Sequence, residues 1–330
     1  MDHVFLGKTG VKVSRLALGT MTFGGDADRD TSRAIYRRAR EAGIDHFDTA
    51  DVYNKGTTEE ILGELMRTER DHVVLATKAY FPMGAGPNDR GTSRYHLVRA
   101  VEASLRRLET DRVDLYYLHR FDERTDLEET LRAVEHLVAS GKVLYPAISN
   151  FSAWQTVKAL GAQRLFGMQP VVAIQPMYNL VKRQAEVEIL PMASSEGLAV
   201  FPYSPLGGGL LSGKYGVHDR PAGARITTWE LYKARYGDEA TFEAAERFRA
   251  LAKEVGHPPA ALAIAWVMSH PSVTAPIVGA RSVEQLEAAI AATSITMTPE
   301  LRERIGALTP TPPPATDRNE EGKTSALGTR

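Results

Sequence analysis

Four polar residues of four different types lie at or just after the ends of short apolar segments. Asp48 and Tyr53 lie in IDHFDTADVY, Lys78 ends VVLATK, and His119 ends VDLYYLH. A phenol, with a free pKa of roughly 10, is a weak proton donor at neutral pH. A neighbouring ammonium favours the phenolate, a carboxylate holds that ammonium, and an imidazole can position a carbonyl. Together these residues are the parts needed to protonate a carbonyl oxygen.

Each of the four residues has a simpler explanation when it is taken alone. An aspartate that ends a strand often caps a loop, a histidine there is often structural, and Tyr53 could simply cover a loop. Lys78 could form a Schiff base with a carbonyl substrate, as in a barrel aldolase. Their joint occurrence, in order and on consecutive strands, favours the proton-donating set.

The composition of the 330-residue chain is that of a soluble globular protein, with 43% hydrophobic and 25% charged residues. A formal net charge of −1 gives no electrostatic reason to bind nucleic acid or an anionic membrane. The chain has no cysteine, which excludes disulfides, thiolate metal sites and a cysteine nucleophile. The nine histidines show no paired ligand spacing, so we expect no metal site.

The N-terminal segment MDHVFLGKTG does not have the pattern of a signal peptide. No apolar segment approaches the roughly 20 residues that cross a bilayer. We therefore expect a cytoplasmic protein.

A repeated pattern of apolar segment, polar loop and amphipathic helix follows a hairpin predicted around Lys8-Thr9-Gly10. Near-continuous apolar segments are typical of parallel strands buried on both faces. The predicted strands are Leu16–Gly19, Ile44–Thr49, Val73–Lys78, Val113–His119, Leu144–Ser149, Ala173–Tyr178, Ala199–Tyr203 and Ala275–Val278. The predicted helices include Thr31–Ala42 after a threonine cap, Ser93–Leu108 and Leu127–Ser140. Eight such repeats favour a single α/β domain, a (β/α)8 TIM barrel over residues 1–308, rather than an open doubly wound sheet.

Two segments interrupt the repeat. The glycine- and aromatic-rich segment Ser204–Gly237 predicts a long loop, which in a compact domain is usually functional or disordered. Residues 309–330 are rich in proline and polar residues without periodicity, which predicts a disordered C-terminal tail. Such a tail could have no role, or could act as a lid or partner contact.

The segment DTADVYNKGTTEEILG, Asp48 to Gly63, resembles the signature of the aldo-keto reductase superfamily. The spacing of Tyr53, Gly56, Glu59 and Gly63 resembles the branch that contains potassium-channel β-subunits and many bacterial reductases. The segments LYYLHRFDERTDLEETL and GKVLYPAISNFS extend the match over nearly the whole chain. The resemblance implies an oxidoreductase that reduces an aldehyde or ketone to an alcohol.

The same resemblance implies that a nicotinamide cofactor lies across the mouth of the barrel, since no G-x-G-x-x-G follows a strand. Ser149, Asn150 and Gln175 would bind the carboxamide, and Tyr203 would stack on the nicotinamide ring. The glycine-rich segment Ser204–Lys214 would let backbone N–H groups approach a pyrophosphate, although it could also be only a flexible loop.

After the eighth strand, Gly279 permits close approach, and Arg281 is placed where a helix N-terminus can bind an anion. A bidentate arginine there favours a 2′-phosphate and hence NADPH over NADH. Ala288 and Ala289 replace an acidic residue and an asparagine that usually contact the adenosine, which suggests weaker adenine recognition. The predicted cofactor contacts are Gly19, Thr20, Met21, Asp48, Ser149, Asn150, Gln175, Tyr203, Ser204, Pro205, Leu206, Gly208, Leu210, Ser212, Lys214, Arg225, Gly279, Arg281 and Gln285.

Aromatic residues around one polar site suit a moderately large carbonyl substrate. Sugar-like aldehydes and ketones are the leading substrate class, and bulky steroid-like or terpenoid ketones come next. The predicted substrate contacts are Met21, Phe23, Tyr53, Tyr80, His119, Trp229 and Tyr232. Two other functions remain open: a regulatory subunit that uses NADPH as a redox sensor, and a Schiff-base lyase that uses Lys78. The chain could also form a homo-oligomer.

Overall fold

The computed structural model describes residues 1–221, 223 and 225–316, without the side chain of Arg225. Its strands are short and are separated by helices, as the repeated apolar pattern predicts. In chain order the strands are β1 His3–Phe5, β2 Lys12–Ser14, β3 Ala17–Gly19, β4 His46–Asp48, β5 Val74–Ala79, β6 Val113–Leu118, β7 Val143–Ser149, β8 Ala173–Gln175, β9 Ala199–Val200 and β10 Ile277–Gly279.

Helices connect these strands and cover the outside of the sheet. They are α1 Arg29–Glu41, α2 Thr57–Met66, α3 Arg94–Arg107, α4 Leu127–Ala139, α5 Ala153–Phe166, α6 Ile189–Glu196, α7 Arg225–Thr228, α8 Glu230–Tyr236, α9 Glu239–Glu254, α10 Pro259–Met268, α11 Val283–Ile290 and α12 Pro299–Gly306. Among the described residues, no helix combines the length and apolar character that a membrane crossing needs.

The sheet consists of β3 to β10, paired in parallel in the order β10-β3-β4-β5-β6-β7-β8-β9. Backbone hydrogen bonds also join its two outer strands. Thr274 N–H donates to the Val200 carbonyl, and Ile277 N–H donates to the Pro202 carbonyl, each at 2.9 Å. These bonds close the sheet into a barrel, so the predicted (β/α)8 TIM barrel is confirmed.

The barrel interior is filled by small and large side chains in alternation, as its narrow diameter requires. Alanines from six strand segments surround Leu115, Tyr117 and Phe201 in one buried cluster. Leu6 and Val13, from the antiparallel hairpin β1–β2, belong to the same cluster. The predicted hairpin is therefore confirmed, and it covers the end of the barrel at which the strands begin. The other end, where the strands finish, carries the predicted site.

Two helix boundaries refine the predictions. The prediction of a threonine cap for α1 is wrong, because the side chain of Asp28 accepts from Thr31 N–H at 2.8 Å and the helix starts earlier. An aspartate is an equally good cap, and its charge favours the helix N-terminus. The predicted end of helix α1 at Gly43 is consistent with the φ of 81° at this residue, a left-handed conformation. Ser93 caps α3 by accepting from His96 N–H.

The segment after β9 is more ordered than the sequence predicted. It contains a 3₁₀ turn at Gly207–Ser212 and the two helices α7 and α8. Its aromatic residues supply the reason, because they form a separate buried cluster of Leu210, Tyr215, Ile226, Tyr232, Tyr236, Phe242 and Ala245. In the predicted tail, residues 309–316 contain no helix or strand, and residues 317–330 lie outside the described residues.

Two helical glycines allow a matched test of packing. A Cβ at Gly63 in α2 would lie 2.6 Å from the backbone carbon of Leu108, whereas a Cβ at Gly161 in α5 would meet nothing within 4 Å. We expect Gly63→Ala to destabilise the protein by about 1–3 kcal/mol through overpacking. Gly161→Ala should stabilise it by about 0.5–1 kcal/mol through helix propensity. Urea unfolding of both variants checks this, and equal effects of one sign would contradict the packing of α2 on α3.

Candidate active site

The four residues singled out above are carried by three neighbouring strands. Asp48 ends β4, Lys78 lies near the end of β5, and His119 directly follows β6. Tyr53 begins a short 3₁₀ turn in the loop after β4. Because parallel strands finish at the same edge of a barrel, all four residues lie at one mouth.

The centre of the site is a buried ion pair. Nζ of Lys78 lies 2.5 Å from Oδ1 of Asp48 and donates to the Thr49 carbonyl at 2.7 Å. The amide of Gln175 donates to the second carboxylate oxygen of Asp48 at 2.8 Å. The Lys78 side chain is fully buried, and this burial lowers its pKa while the Asp48 carboxylate opposes the shift. A buried charge of this kind persists only when it is paired and hydrogen-bonded.

The ammonium of Lys78 lies 5.2 Å from the centre of the Tyr53 ring. Burial raises the pKa of Tyr53 well above its usual value, and the negative charge of Asp48 raises it further. The sequence predicts that Lys78 lowers this pKa, whereas the pKa in the folded chain is raised. The reason is that Asp48 already neutralises the ammonium, while the phenolate would have to form in a poorly solvated place.

His119 lies edge-on to Tyr53, with their ring centres 6.1 Å apart. The ring of Phe81 contacts its other side at 4.9 Å. Burial and then the nearby charge of Lys78 lower the pKa of His119 well below its usual value, so the imidazole is neutral at neutral pH. Its Nδ1 is buried and has no hydrogen-bond partner among the described residues. A neutral imidazole carries one donor and one acceptor, so it can present an N–H to a carbonyl oxygen.

The loops after β3 and β4 hold this arrangement. The backbone N–H and hydroxyl of Thr20 both donate to the Asp48 carbonyl, at 2.9 and 3.0 Å. The side chain of Asn54, at a φ of 46°, donates to the carbonyls of Met21 and Phe23. The ring of Phe23 is fully buried in the core, so the structure does not bring it to the mouth, where we expected a substrate contact.

The residues predicted to bind a carboxamide form one hydrogen-bonded network. The Ser149 hydroxyl donates to the Gln175 carbonyl at 2.9 Å, and the amide of Asn150 donates to the His119 carbonyl at 2.9 Å. The Tyr203 hydroxyl donates to the Asn150 side chain at 2.7 Å. Because the Gln175 amide also binds Asp48, this network is continuous with the ion pair. The structure therefore brings these four residues together at the mouth.

The glycine-rich segment is tightly curled. Ser204, Gly207, Gly208 and Gly209 have φ values of 57°, 56°, 68° and 98°. A Cβ at Gly208 would lie 2.5 Å from the ring of Tyr232, so a larger residue does not fit there. The N–H groups of Gly207 and Gly209 donate to the carbonyls of Ser204 and Leu206 within this segment, at 2.9 and 3.0 Å. Glycines at these positions allow the turn and a close approach of its backbone to a ligand.

The side chains of this segment are divided between the core and the surface. Pro205 and Leu210 are buried, Leu206 and Ser212 are half-buried, and Lys214 is exposed. The Ser212 hydroxyl donates to a carbonyl of its own turn at 2.7 Å. Buried Leu210 anchors the segment, so any contact of Leu210 with a cofactor would come from its backbone. Arg225 begins α7, and its side chain lies outside the described residues.

The loop after β10 lies beside β3. Gly279 pairs with Gly19 in the parallel ladder, and Arg281 follows immediately before α11. A guanidinium nitrogen of Arg281 lies 3.9 Å from the Asp26 carboxylate, and both side chains are partly exposed. The Gln285 side chain accepts from Arg281 N–H at 3.0 Å. Arg281 thus lies at a helix N-terminus, as predicted, while Gln285 supports its backbone.

Aromatic residues form the rim of the site. Tyr80 is half-buried against Phe81, and Trp229 is exposed with its ring centre 5.8 Å from that of Tyr232. Tyr232 of α8 is almost fully buried. A charge on Tyr232 would raise the pKa of Tyr53, which means that the two side chains are neighbours and that α8 lies close to the mouth. Phe81 was not predicted from the sequence, although it follows β5 just as Tyr80 does.

Tyr117 was also not predicted from the sequence as a residue of the site. This residue is fully buried on the inner face of β6, with its ring centre 5.8 Å from Nζ of Lys78. It lies two residues before His119, and the alternation of side chains along a strand could have revealed that both point inward. Tyr117 therefore packs beside the ion pair, on the same face of β6.

The sequence model of the Aldo/keto reductase family matches residues 15–309. An uncharacterized oxidoreductase, YrpG of Bacillus subtilis, is 42% identical over 94% of this chain and 97% of its own. A probable voltage-gated potassium channel subunit beta of Oryza sativa is 38% identical over 96% and 99%. An L-glyceraldehyde 3-phosphate reductase of Escherichia coli is 35% identical over 87% and 86%.

The match covers the whole barrel, including every strand that carries the site. The chain therefore belongs to the aldo/keto reductase family. It is an oxidoreductase of the class that reduces carbonyl groups, a reaction for which this family generally uses NAD(P)H.

The buried ion pair has a measurable consequence for stability. We expect Asp48→Asn to destabilise the protein by about 3–5 kcal/mol, because it leaves the buried ammonium of Lys78 without a counter-ion. The double variant Asp48→Asn/Lys78→Met should cost less than the sum of the two single changes. Urea unfolding of the native chain, the two single variants and the double variant measures the coupling free energy between Asp48 and Lys78.

An exposed ion pair provides the control. Arg132 and Glu128 lie 2.7 Å apart in α4, with side chains 48% and 42% exposed. Glu128→Gln should change stability by less than about 1 kcal/mol. Comparable effects of Glu128→Gln and Asp48→Asn would contradict the buried charge pair as the centre of the site.

Proposed function

We propose that this protein is an NADPH-dependent reductase of aldehydes or ketones in which Tyr53 donates the proton. The observation that carries the proposal is the position of the Tyr53 ring, 5.2 Å from a lysine ammonium that is fully buried against Asp48. No other chemistry explains as well why a phenol, a buried ammonium and a neutral imidazole share one mouth.

Each side chain has a separate part in the reaction. The carbonyl carbon would accept a hydride, which a nicotinamide would supply when bound, and the electron pair of the C=O bond would move to the oxygen. Tyr53 gives its proton to that oxygen, and the Lys78 ammonium stabilises the phenolate that remains. Asp48 holds Lys78 in place. His119, neutral in its buried position, donates an N–H to the carbonyl oxygen and orients it.

The high pKa of Tyr53 is compatible with this role. A phenol that keeps its proton is in the correct form to act as an acid, and the alkoxide that develops in reduction is a stronger base than a phenolate. Lys78 therefore acts mainly on the charge that appears during proton transfer, rather than by making Tyr53 acidic beforehand.

The cofactor would lie across the mouth on the parts that surround the ion pair. Ser149, Asn150 and Gln175 carry the donors and acceptors that a carboxamide needs, and Tyr203 provides a ring beside them. In the curled segment at Gly207–Gly209, the absence of side chains would let the backbone approach a pyrophosphate closely. Arg281, at the N-terminus of α11, would bind the 2′-phosphate that distinguishes NADPH from NADH.

The substrate class is proposed from the rim and from one relative. An aromatic rim such as that of Tyr80, Phe81 and Trp229 suits the apolar part of a moderately large carbonyl substrate. The relative named L-glyceraldehyde 3-phosphate reductase supports a sugar-like or polyhydroxylated carbonyl compound as the leading class.

The structure bears on two alternatives. A Schiff-base lyase needs a lysine that a substrate can reach, whereas Lys78 is fully buried and held by two acceptors, which argues against it. A redox-sensing regulatory subunit is the second candidate, because relatives named as channel β-subunits are 38% identical to this chain. Multiple turnovers of NADPH with a carbonyl substrate would favour the reductase, and a single slow oxidation of bound NADPH would favour the sensor.

Removal of the phenol hydroxyl tests the proton donor. We expect Tyr53→Phe to lose at least about 100-fold in kcat for carbonyl reduction, the usual scale of a general acid. NADPH affinity should change little, because only the donor is removed. NADPH oxidation and fluorescence titration measure the two quantities, with Tyr95→Phe, an exposed tyrosine on α3, as the control. Turnover retained by Tyr53→Phe would overturn the assignment.

Removal of the guanidinium tests cofactor choice. We expect Arg281→Ala to raise KM for NADPH by about 10-fold or more, since a charge-assisted hydrogen bond contributes roughly 1.5–3 kcal/mol. The KM for NADH should change little, because NADH has no 2′-phosphate. Arg304→Ala, an exposed arginine of α12, serves as the control. An equal effect on both cofactors would mean that Arg281 does not recognise the 2′-phosphate.

A further inference from the structure

A third carboxyl group, Asp51, lies beside the proposed proton donor. It occupies the loop between Asp48 and Tyr53, and only 1% of its surface is exposed. Its backbone N–H donates to the Lys78 carbonyl at 3.1 Å, which fixes the loop against β5. Neither oxygen of its side chain has a well-formed hydrogen bond among the described residues, and the nearby N–H of Val52 only partly offsets the effect of burial on its pKa. An aspartate in this condition cannot be explained as a loop cap.

Charged groups from several elements face Asp51. Glu59 of α2 lies near enough to repel its charge, while Arg107 of α3 and Lys78 of β5 attract it. The hydroxyls of Tyr53 and of Tyr116 on β6 respond to its charge. The Tyr116 hydroxyl is itself buried without a partner among the described residues. Asp51 is therefore buried among charged or titratable groups from α2, α3, β5 and β6.

The nearby charges balance only if Asp51 is neutral. Lys78 is paired with Asp48 at 2.5 Å, and Arg107 is paired with Glu59 at 2.7 Å. Two cations are thus already matched by two carboxylates, and an ionised Asp51 would be a third negative charge without a counter-ion. Burial of an unpaired carboxylate is so costly that the group normally keeps its proton instead. In agreement, burial and then Glu59 raise the pKa of Asp51 to about 8.

Ionisation of Asp51 would act directly on the proposed reaction. During carbonyl reduction a negative charge develops on the Tyr53 oxygen, and a carboxylate two residues away in the same loop would repel it. The same carboxylate would attract the Lys78 ammonium, which Tyr53 needs. Neutral Asp51 has neither effect.

We propose that Asp51 is a positioning residue of the reductase that acts through its own proton: protonated Asp51 permits proton donation by Tyr53, and ionised Asp51 suppresses it. This inference rests on the proposed role of Tyr53. It predicts an alkaline loss of activity that belongs to neither Tyr53 nor the cofactor.

The isosteric variant Asp51→Asn, which stays neutral at every pH, tests this inference. We expect kcat/KM for carbonyl reduction by the native chain to fall about tenfold from pH 7 to pH 9, as a group with a pKa of about 8 loses its proton. Asp51→Asn should match the native activity within about threefold at pH 7 and change less than twofold up to pH 9. Asp111→Asn, at a site whose side chain is 86% exposed, should keep the native profile.

Thermal unfolding gives a second readout that does not depend on activity. An unfolded aspartate ionises near pH 4, whereas folded Asp51 keeps its proton to about pH 8, so unfolding releases a proton between these values. Native stability relative to Asp51→Asn should therefore decline as pH rises from 4 to 8 and stay level above 8. Native stability relative to Asp111→Asn should show no such decline, because both of these proteins keep Asp51.

A third variant should shift the pH at which activity is lost, instead of abolishing the pH dependence. Glu59→Gln keeps a side chain that Thr77 and Arg107 can contact, but it removes the charge that raises the pKa of Asp51. The alkaline loss of activity should shift to lower pH, provided that the unfolding midpoint shows a folded protein.

The outcomes separate this inference from the proposed function. An alkaline decline that is the same in the native chain and Asp51→Asn would overturn the inference while leaving Tyr53 as proton donor. A folded Asp51→Asn that is inactive at all pH values would also overturn it. If the native chain reduces no carbonyl compound, the proposed function fails, and the pH dependence of unfolding still decides whether Asp51 holds its proton.

Discussion

The ion pair between Lys78 and Asp48 is the constraint on which the site depends. Both groups are buried at the mouth, so each requires the other, and further donors and acceptors must satisfy what remains. Thr49 and Gln175 meet that requirement, from the loop after β4 and from β8, while Thr20 holds the backbone carbonyl of Asp48. A barrel can supply these partners because strands far apart in sequence finish at the same edge.

The same burial sets the protonation states around the pair. Low solvation keeps the phenol of Tyr53 protonated, the imidazole of His119 neutral and the carboxyl of Asp51 protonated to about pH 8. The Lys78–Asp48 pair is therefore surrounded by neutral groups, and the second nearby cation, Arg107, is compensated by Glu59. In such an environment a charge that develops on substrate or tyrosine interacts strongly with the fixed ammonium. The helices after β9 add to this environment, because Tyr232 lies close to Tyr53.

Much of the fold could be predicted because the pattern is regular. The eight strands are apolar segments buried on both faces, so each was recognised, and the errors were confined to strand ends, as in β9, which ends at Val200 rather than Tyr203. The segment after β9 was harder, because its order comes from a buried aromatic cluster that includes Tyr215 and Phe242. Phe23 was misplaced for a related reason: it follows β3 near the mouth, but its ring turns into the core. Local sequence does not specify that direction.

The order of residues along the chain specifies which chemical groups are present and that they follow consecutive parallel strands. That is enough to predict the barrel and to select Asp48, Tyr53, Lys78 and His119, because topology alone brings strand ends together. The electrostatics of the site depend on the folded arrangement. The pKa of a side chain depends on its burial and on charges from distant segments, such as Glu59 and Arg107 around Asp51. These neighbours gather only when the chain is folded, so the direction of the Tyr53 shift and the unpaired state of Asp51 could not be read from local residues.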